Sequence, residues 1–118
     1  MKFSLGINAA CPTRFTSIPA ETVWRQLVRA ADSVSNNLVE ADDASSSADF
    51  IHKIRLTLRE AKESRLCLAK IRLGQLDGHE RLAALEAEAA ELSAIFATIA
   101  RNTATRLAGE STPKTRRS

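Results

Sequence analysis

Residues 82–103 read LAALEAEAAELSAIFATIARNT, and their apolar positions recur at alternating steps of three and four. This spacing is a heptad pattern, which places a continuous apolar seam along one side of a long helix. A helix with such a seam packs lengthwise against a neighbour that runs nearly parallel or antiparallel to it. The seam consists of Leu82, Leu85, Ala89, Leu92, Phe96, Ile99 and Thr103.

Residues 19–41 are predicted to form the helix at the start of the bundle. Pro19 suits the first helical turn, and Glu21 in that turn favours the positive end of the helix dipole. Apolar residues then follow at helical spacing, which predicts one buried face. They are Val23, Leu27, Ala30, Val34, Leu38 and Ala41.

Residues 47–73 are predicted to form the next long helix. Ser46 and Asp49 have the spacing of a capping box, and Gly74 suits a C-cap. The apolar stripe of this helix consists of Phe50, Ile54, Leu58, Ala61, Ser64, Leu68 and Ile71. Asp77 and Glu80 form another capping box, so the helix that carries the heptad seam is expected over residues 77–108.

Three long helices joined by short loops predict an all-α, up-down antiparallel bundle. Residues 1–18 contain Gly6 and Pro12 and are expected to form an N-terminal arm or a short, truncated first helix. That segment, or a second subunit, would supply the fourth helix and complete the core. Residues 109–118 are expected to be a basic, disordered tail after a bundle that spans residues 19–108.

Composition limits the class of protein. The chain has 118 residues, a net charge of +3, and 44% apolar residues, enough for one domain with a core. It lacks an apolar run long enough to cross a membrane, and Asn8 interrupts the faint signal-like stretch at the N-terminus. Cys11 and Cys67 cannot form a disulfide framework, and Cys67 is expected to be a buried, inert thiol. A cytoplasmic location is therefore expected.

Charge is segregated between the helices. Residues 49–73 hold seven basic and three acidic residues, a net charge of +4, whereas residues 77–108 hold three basic and five acidic residues, a net charge of −2. Most of the basic residues of the 47–73 helix cluster away from its apolar stripe, which indicates either a phosphate-binding face or a solvated face that pairs with acidic helices. The candidate residues are Lys53, Arg55, Arg59, Lys62 and Lys70.

Three leucines of the same helix lie outside its apolar stripe: Leu56, Leu66 and Leu73. Apolar residues outside a core stripe indicate a subunit contact, although scattered exposed leucines are also common. These residues are therefore the candidate self-association contact.

A polar line crosses the 19–41 helix and consists of Arg29, Ser33, Asn37 and Glu40. Residues at this spacing share one side of a helix. The line predicts a partly buried network of hydrogen bonds and ion pairs that fixes helix register; the alternative is a ligand site.

No constellation of residues indicates a reaction. His52 and His79 lack a histidine or cysteine at metal-ligand spacing, and Glu40, Asp42 and Asp43 fit a solvated turn better than a calcium loop. Glycine-rich phosphate loops and nucleophile elbows are absent. We therefore expect no enzymatic activity, cofactor, metal or small-molecule substrate.

Residues 26–41, 47–54 and 60–64 together resemble the small four-helix-bundle family encoded by intervening sequences of bacterial large-subunit ribosomal RNA genes. The resemblance extends over residues 15–108. It implies a left-handed antiparallel four-helix bundle that assembles into a homopentamer, with no established enzymatic activity. A related branch is the accessory protein of diversity-generating retroelements, which has a basic surface and works with a reverse transcriptase and nucleic acid. Arg29, Ser33, Asn37 and Glu40 match the family's characteristic polar positions.

Two functions follow as expectations. The first is an oligomeric bundle whose basic helix face binds RNA or an enzyme that acts on nucleic acid. The second is a scaffold whose basic and acidic faces pair between subunits without nucleic acid. An enzyme, with a site built on the polar line, is a weaker third possibility.

Overall fold

Four helices account for most of the chain. The computed structural model describes residues 2–111, with side chains described through Gly109. The helices are α1 (Lys2–Ala10), α2 (Ile18–Asp42), α3 (Ser47–Gly74) and α4 (Leu82–Ser111). Strands are absent from residues 2–111, and the all-α expectation is confirmed.

Both central helices begin at a serine cap, and the cap at Ser46 is the one that the sequence predicted. The Ser17 hydroxyl accepts a hydrogen bond from the Ala20 N–H of α2 at 3.2 Å, and Pro19 lies in the first turn. The Ser46 hydroxyl accepts one from the Asp49 N–H of α3 at 3.1 Å. Each serine thus satisfies a backbone donor that has no partner within its own helix.

The end of α3 differs from the expectation. Gly74 is the last helical residue, and the left-handed conformation falls on Gln75, with φ of 53°. A Cβ at Gly74 would lie 3.1 Å from Cγ of Leu76. The glycine leaves room for Leu76, which folds back closely over the helix end and packs against the core.

The start of α4 also differs, because it begins at Leu82 and not at residue 77. Asp77 is held in the loop with φ of 56°, and its carboxylate accepts hydrogen bonds from the Thr16 N–H at 2.8 Å and the Thr16 hydroxyl at 2.7 Å. These two bonds lower the pKa of the Asp77 carboxyl below its ordinary value. Asp77 thus links the α3–α4 loop to the α1–α2 loop and does not cap α4.

The helices form a square in which each packs against its chain neighbours, and α1 closes the square against α4. Hydrogen bonds between Ser4 and Ser35 at 2.9 Å and between Asn8 and Asp32 at 3.5 Å show that α1 runs antiparallel to α2. Gly6 allows this close fit, since a Cβ there would lie 3.2 Å from Leu85. The predicted up-down four-helix bundle is confirmed, with a first helix of nine residues.

The core is thickest where α1 is present. Phe3 and Ile7 of α1, Trp24 of α2, and Leu68 and Ile71 of α3 belong to the largest buried cluster. Farther from α1 the buried clusters shrink to three residues each. At 1.5 Å per residue, α1 is about 14 Å long and α4 about 45 Å, so α1 covers only part of the bundle.

The ends of the bundle extend the expected bounds. Helix α4 continues through Gly109 to Ser111, so the first three residues of the expected disordered tail 109–118 are helical. The remainder of that tail lies outside the described residues. Among residues 2–111, no helix has the length and apolar character that crossing a membrane requires.

Candidate nucleic-acid interface on the third helix

The outer face of α3 carries four cations. Arg55, Arg59, Lys62 and Lys70 are all exposed, and at about 100° per residue they share the side of α3 that faces neither α2 nor α4. None of the four makes an ion pair with a carboxylate of residues 2–109. We call these four residues the basic face.

Lys53 belongs to a different part of the molecule. Its ammonium lies 3.1 Å from a carboxylate oxygen of Glu40 on α2, and its side chain is only 23% exposed. Lys53 therefore ties α2 to α3 and is not available to a phosphate in the way that the basic face is. The sequence analysis grouped Lys53 with the face by charge, although at about 100° per residue it lies about 160° from Arg55 and on the side of α3 that faces α2.

Leu66 and Leu73 lie among the basic residues on the outer side of α3. They are 56% and 74% exposed, which is high for large apolar side chains. Leu56 is half-buried at the edge of the same face. The basic face thus has an apolar portion toward the C-terminal end of α3.

The polar line of α2 lies along the seam between α2 and α3. The Arg29 guanidinium donates to a Glu63 carboxylate oxygen at 2.6 Å and lies 3.6 Å from a Glu60 carboxylate oxygen. Glu40, at the other end of the line, pairs with Lys53. Ser33 and Asn37 are half-buried between them. The bonds of Arg29 and Glu40 cross to α3, which makes the line an inter-helix seam.

Glu60 is the least satisfied member of this seam. It is buried, and its Oε2 atom has no hydrogen-bond partner among the described residues. Burial, followed by the nearby charge of Glu63, raises the pKa of Glu60 above its ordinary value, although Arg29 opposes the shift. Desolvation and like-charge repulsion thus outweigh the attraction of a half-exposed guanidinium.

We expect Glu60→Gln to stabilise the protein at neutral pH. The folded-state pKa lies above the unfolded-state value, so the penalty is fully present at pH above the folded pKa and disappears as pH falls toward the unfolded value. E60Q should gain about 1 kcal/mol of unfolding free energy at about pH 7 and almost nothing at about pH 4. Urea denaturation of E60Q and wild type at both pH values measures this.

The matched control is Glu63→Gln, one turn away. Glu63 receives the short bond from Arg29, so E63Q should lower stability at neutral pH. If E60Q were less stable than wild type at neutral pH, the ion pair with Arg29 would outweigh burial, contrary to this account.

Other candidate groups do not form a site. His52 and His79 are exposed, and within residues 2–109 no three of the histidine, cysteine and acidic side chains come close enough to hold a metal ion. Cys67 is buried and Cys11 half-buried, both with free thiols. Burial raises the pKa of each thiol, which disfavours the reactive thiolate.

Sequence reasoning missed two features. Trp24 donates its indole N–H to the carbonyls of Leu76 and Asp77, at 2.9 and 3.2 Å. An apolar groove also lies beyond the N-terminus of α1, next to the exposed side chain of Val39. The expected short first helix within residues 1–18 was a signal for the groove, because a short helix leaves part of a bundle uncovered. The hydrogen bonds of Trp24 have no sequence signature.

Comparisons with known proteins agree with this architecture. The chain has 23% identity with a protein of unknown function from the S23 ribosomal protein family of Bacteroides thetaiotaomicron, whose crystal structure superposes with a TM-score of 0.66. The match covers 84% of this chain and 92% of that one, and at this identity it establishes the fold alone. No protein of curated function matches. The model of the 23S rRNA-intervening sequence protein family matches residues 1–98, and the chain belongs to that family.

Proposed function

We propose that the protein is a non-enzymatic RNA-binding bundle that contacts phosphates through the basic face of α3. The observation that supports this is the set of four exposed cations, Arg55, Arg59, Lys62 and Lys70, without carboxylate partners among residues 2–109. Unpaired cations on one rigid face are the groups that phosphate binding requires, since they displace the counterions of the nucleic acid. The family to which the chain belongs is named for 23S rRNA intervening sequences, and for this reason we favour RNA as the polyanion.

The length of the basic face fits this role. Arg55 and Lys70 are fifteen positions apart, which corresponds to about 22 Å along the helix. A rigid row of that length is able to contact several successive phosphates of one strand. Aromatic side chains for base stacking are not part of the basic face, so binding should depend on backbone charge and show little sequence preference.

The test is titration of a fluorescent RNA hairpin at about 50 and about 200 mM salt. The triple variant R55A/R59A/K62A should bind about a hundredfold more weakly at the lower salt concentration. The slope of log affinity against log salt should fall by about 2 to 3, as expected for three lost phosphate contacts. Each replaced side chain is exposed, so the variant should fold as wild type does.

The matched control removes the same charge elsewhere. Arg14, Arg81 and Arg101 are exposed residues off the basic face, and the R14A/R81A/R101A variant should keep most of the affinity. Absent or salt-independent binding by the wild type would contradict the proposal. Equal losses in both triple variants would show that only net charge matters.

A scaffold is the second candidate, because Leu66 and Leu73 are exposed within the same side of α3. In this alternative the basic face pairs with acidic residues of α4, among them Glu88 and Glu91 beside Lys2 of α1, in a homo-oligomer that is a pentamer by family resemblance. It predicts that R55A/R59A/K62A lowers the mass in light scattering and leaves RNA affinity unchanged. Under either candidate the free cysteines favour a cytoplasmic location.

A further inference from the structure

His52 lies on the same outer side of α3 as the basic face. It precedes Lys70 by eighteen positions, which make about five full turns, and it precedes Arg59 by seven positions, which places it within about 20° of that arginine. These three residues form one edge of the outer side, and Arg55 and Lys62 form the other edge. With His52 included, the row of basic groups is about 27 Å long.

The imidazole of His52 is available to a ligand. The side chain is exposed, and the imidazole makes no hydrogen bond or ion pair within residues 2–109. On α3 itself, the carboxylate of Asp49 lies one turn before it and the guanidinium of Arg55 one turn after it. Its outward side therefore meets only solvent.

The helices packed against α3 leave this edge open. Helix α1 packs against α2 and α4 and not against α3. Glu40 of α2 is already in an ion pair at 3.1 Å. Asp42 of α2 and Arg106 of α4 line a pocket together with Phe50, which lies about 160° around α3 from His52. The charges of Asp42 and Arg106 are therefore on the far side of α3.

We propose that His52 is a fifth phosphate contact of the basic face, which operates when its imidazole is protonated and makes RNA binding stronger in mild acid. This inference rests on the proposed RNA-binding function. A histidine side chain changes its charge between about pH 5 and 8. The imidazolium has two N–H donors, and a hydrogen bond from either to a phosphate oxygen is charge-assisted. Because the two events are linked, RNA binding takes up a proton at this position.

The test is titration of the fluorescent RNA hairpin with the full chain at about pH 7.5 and about pH 5.5. Wild type should bind about fourfold more tightly at the lower pH, and its slope of log affinity against log salt should become steeper by about 0.7 to 0.9, as one added phosphate contact requires. His52→Asn should remove most of both changes. Groups that titrate elsewhere, such as Glu60 and the RNA bases, contribute equally to wild type and H52N.

His79 provides the matched control, because the chain has two histidines. It is exposed in the loop between α3 and α4, where its Nδ1 atom accepts a hydrogen bond from the Arg81 N–H at 3.1 Å. His79→Asn should keep the full pH response. At about pH 7.5, His52→Lys should tighten binding about fourfold, whereas His79→Lys should change it little, since only the first lysine meets a phosphate. Circular dichroism verifies that the four variants are folded.

The outcomes separate this inference from the function on which it rests. Salt-dependent RNA binding with the same pH response in wild type and H52N would overturn the role of His52 and leave the proposed function standing. Equal effects of H52K and H79K would also overturn it, because net charge alone would then explain the response. Absence of salt-dependent RNA binding by wild type at both pH values would overturn both.

Discussion

Replacing Trp24 with alanine is expected to lower the free energy of unfolding by about 4 to 5 kcal/mol, the largest effect of any single substitution considered. Trp24 is fully buried in the main core cluster, so its removal leaves a large cavity. The substitution also removes the indole donor to the carbonyls of Leu76 and Asp77. A loss of this size is a large part of the stability of a small domain.

The control for this prediction is Trp24→Phe, which keeps an aromatic ring and removes the N–H. It should cost about 1 to 2 kcal/mol, from the lost hydrogen bond and the smaller ring. Trp24 is the single tryptophan, so unfolding in urea is followed by circular dichroism. If W24A lost no more stability than W24F, the ring would not be the main contribution.

Replacing Phe3 with alanine is expected to cost about 3 kcal/mol. Phe3 is 1% exposed and packs in the main core cluster, where a buried phenylalanine contributes about 3 to 5 kcal/mol. We expect the lower end of this range because α1 is short and can detach from α2 and α4. The loss of stability then cannot exceed the free energy with which α1 docks onto these two helices. Detachment would also reduce the dependence of unfolding on urea concentration, since less surface is then exposed on unfolding.

Leu5→Ala provides the comparison on the same helix. Leu5 is 65% exposed, so its replacement should change stability by about 0.5 kcal/mol or less. Helix propensity changes similarly little in both variants. An F3A variant as stable as L5A would show that α1 contributes little to the fold, contrary to its place in the core.

Periodicity was sufficient to predict the bundle, because core packing selects the residues that repeat every three or four positions. Leu68 and Phe96 were placed on apolar stripes and are buried. The cap of α3 at Ser46 was also predicted, since its partner Asp49 is only three residues away. Features determined by residues close in the chain could therefore be predicted.

Features determined by distant residues could not. Asp77 has the spacing of a helix cap, but Thr16, which lies 61 positions away in sequence, holds its carboxylate. Lys53 was grouped with the surface cations by its charge, but Glu40 on α2 pairs with it. The position of a residue on its own helix predicts the side of the helix on which its side chain lies. The partner of that side chain depends on the residues of the neighbouring helix.

The seat of α1 between α2 and α4 has a consequence for biosynthesis. Helix α1 leaves the ribosome before α4, yet Phe3 and Ile7 share their buried cluster with Leu82, Leu85 and Ala89 of α4. Until α4 has been translated, α1 lacks one wall of its site and its apolar side chains stay in contact with water or with chaperones. We expect α1 to dock late, after the α2–α3 hairpin has formed co-translationally from contacts close in the chain.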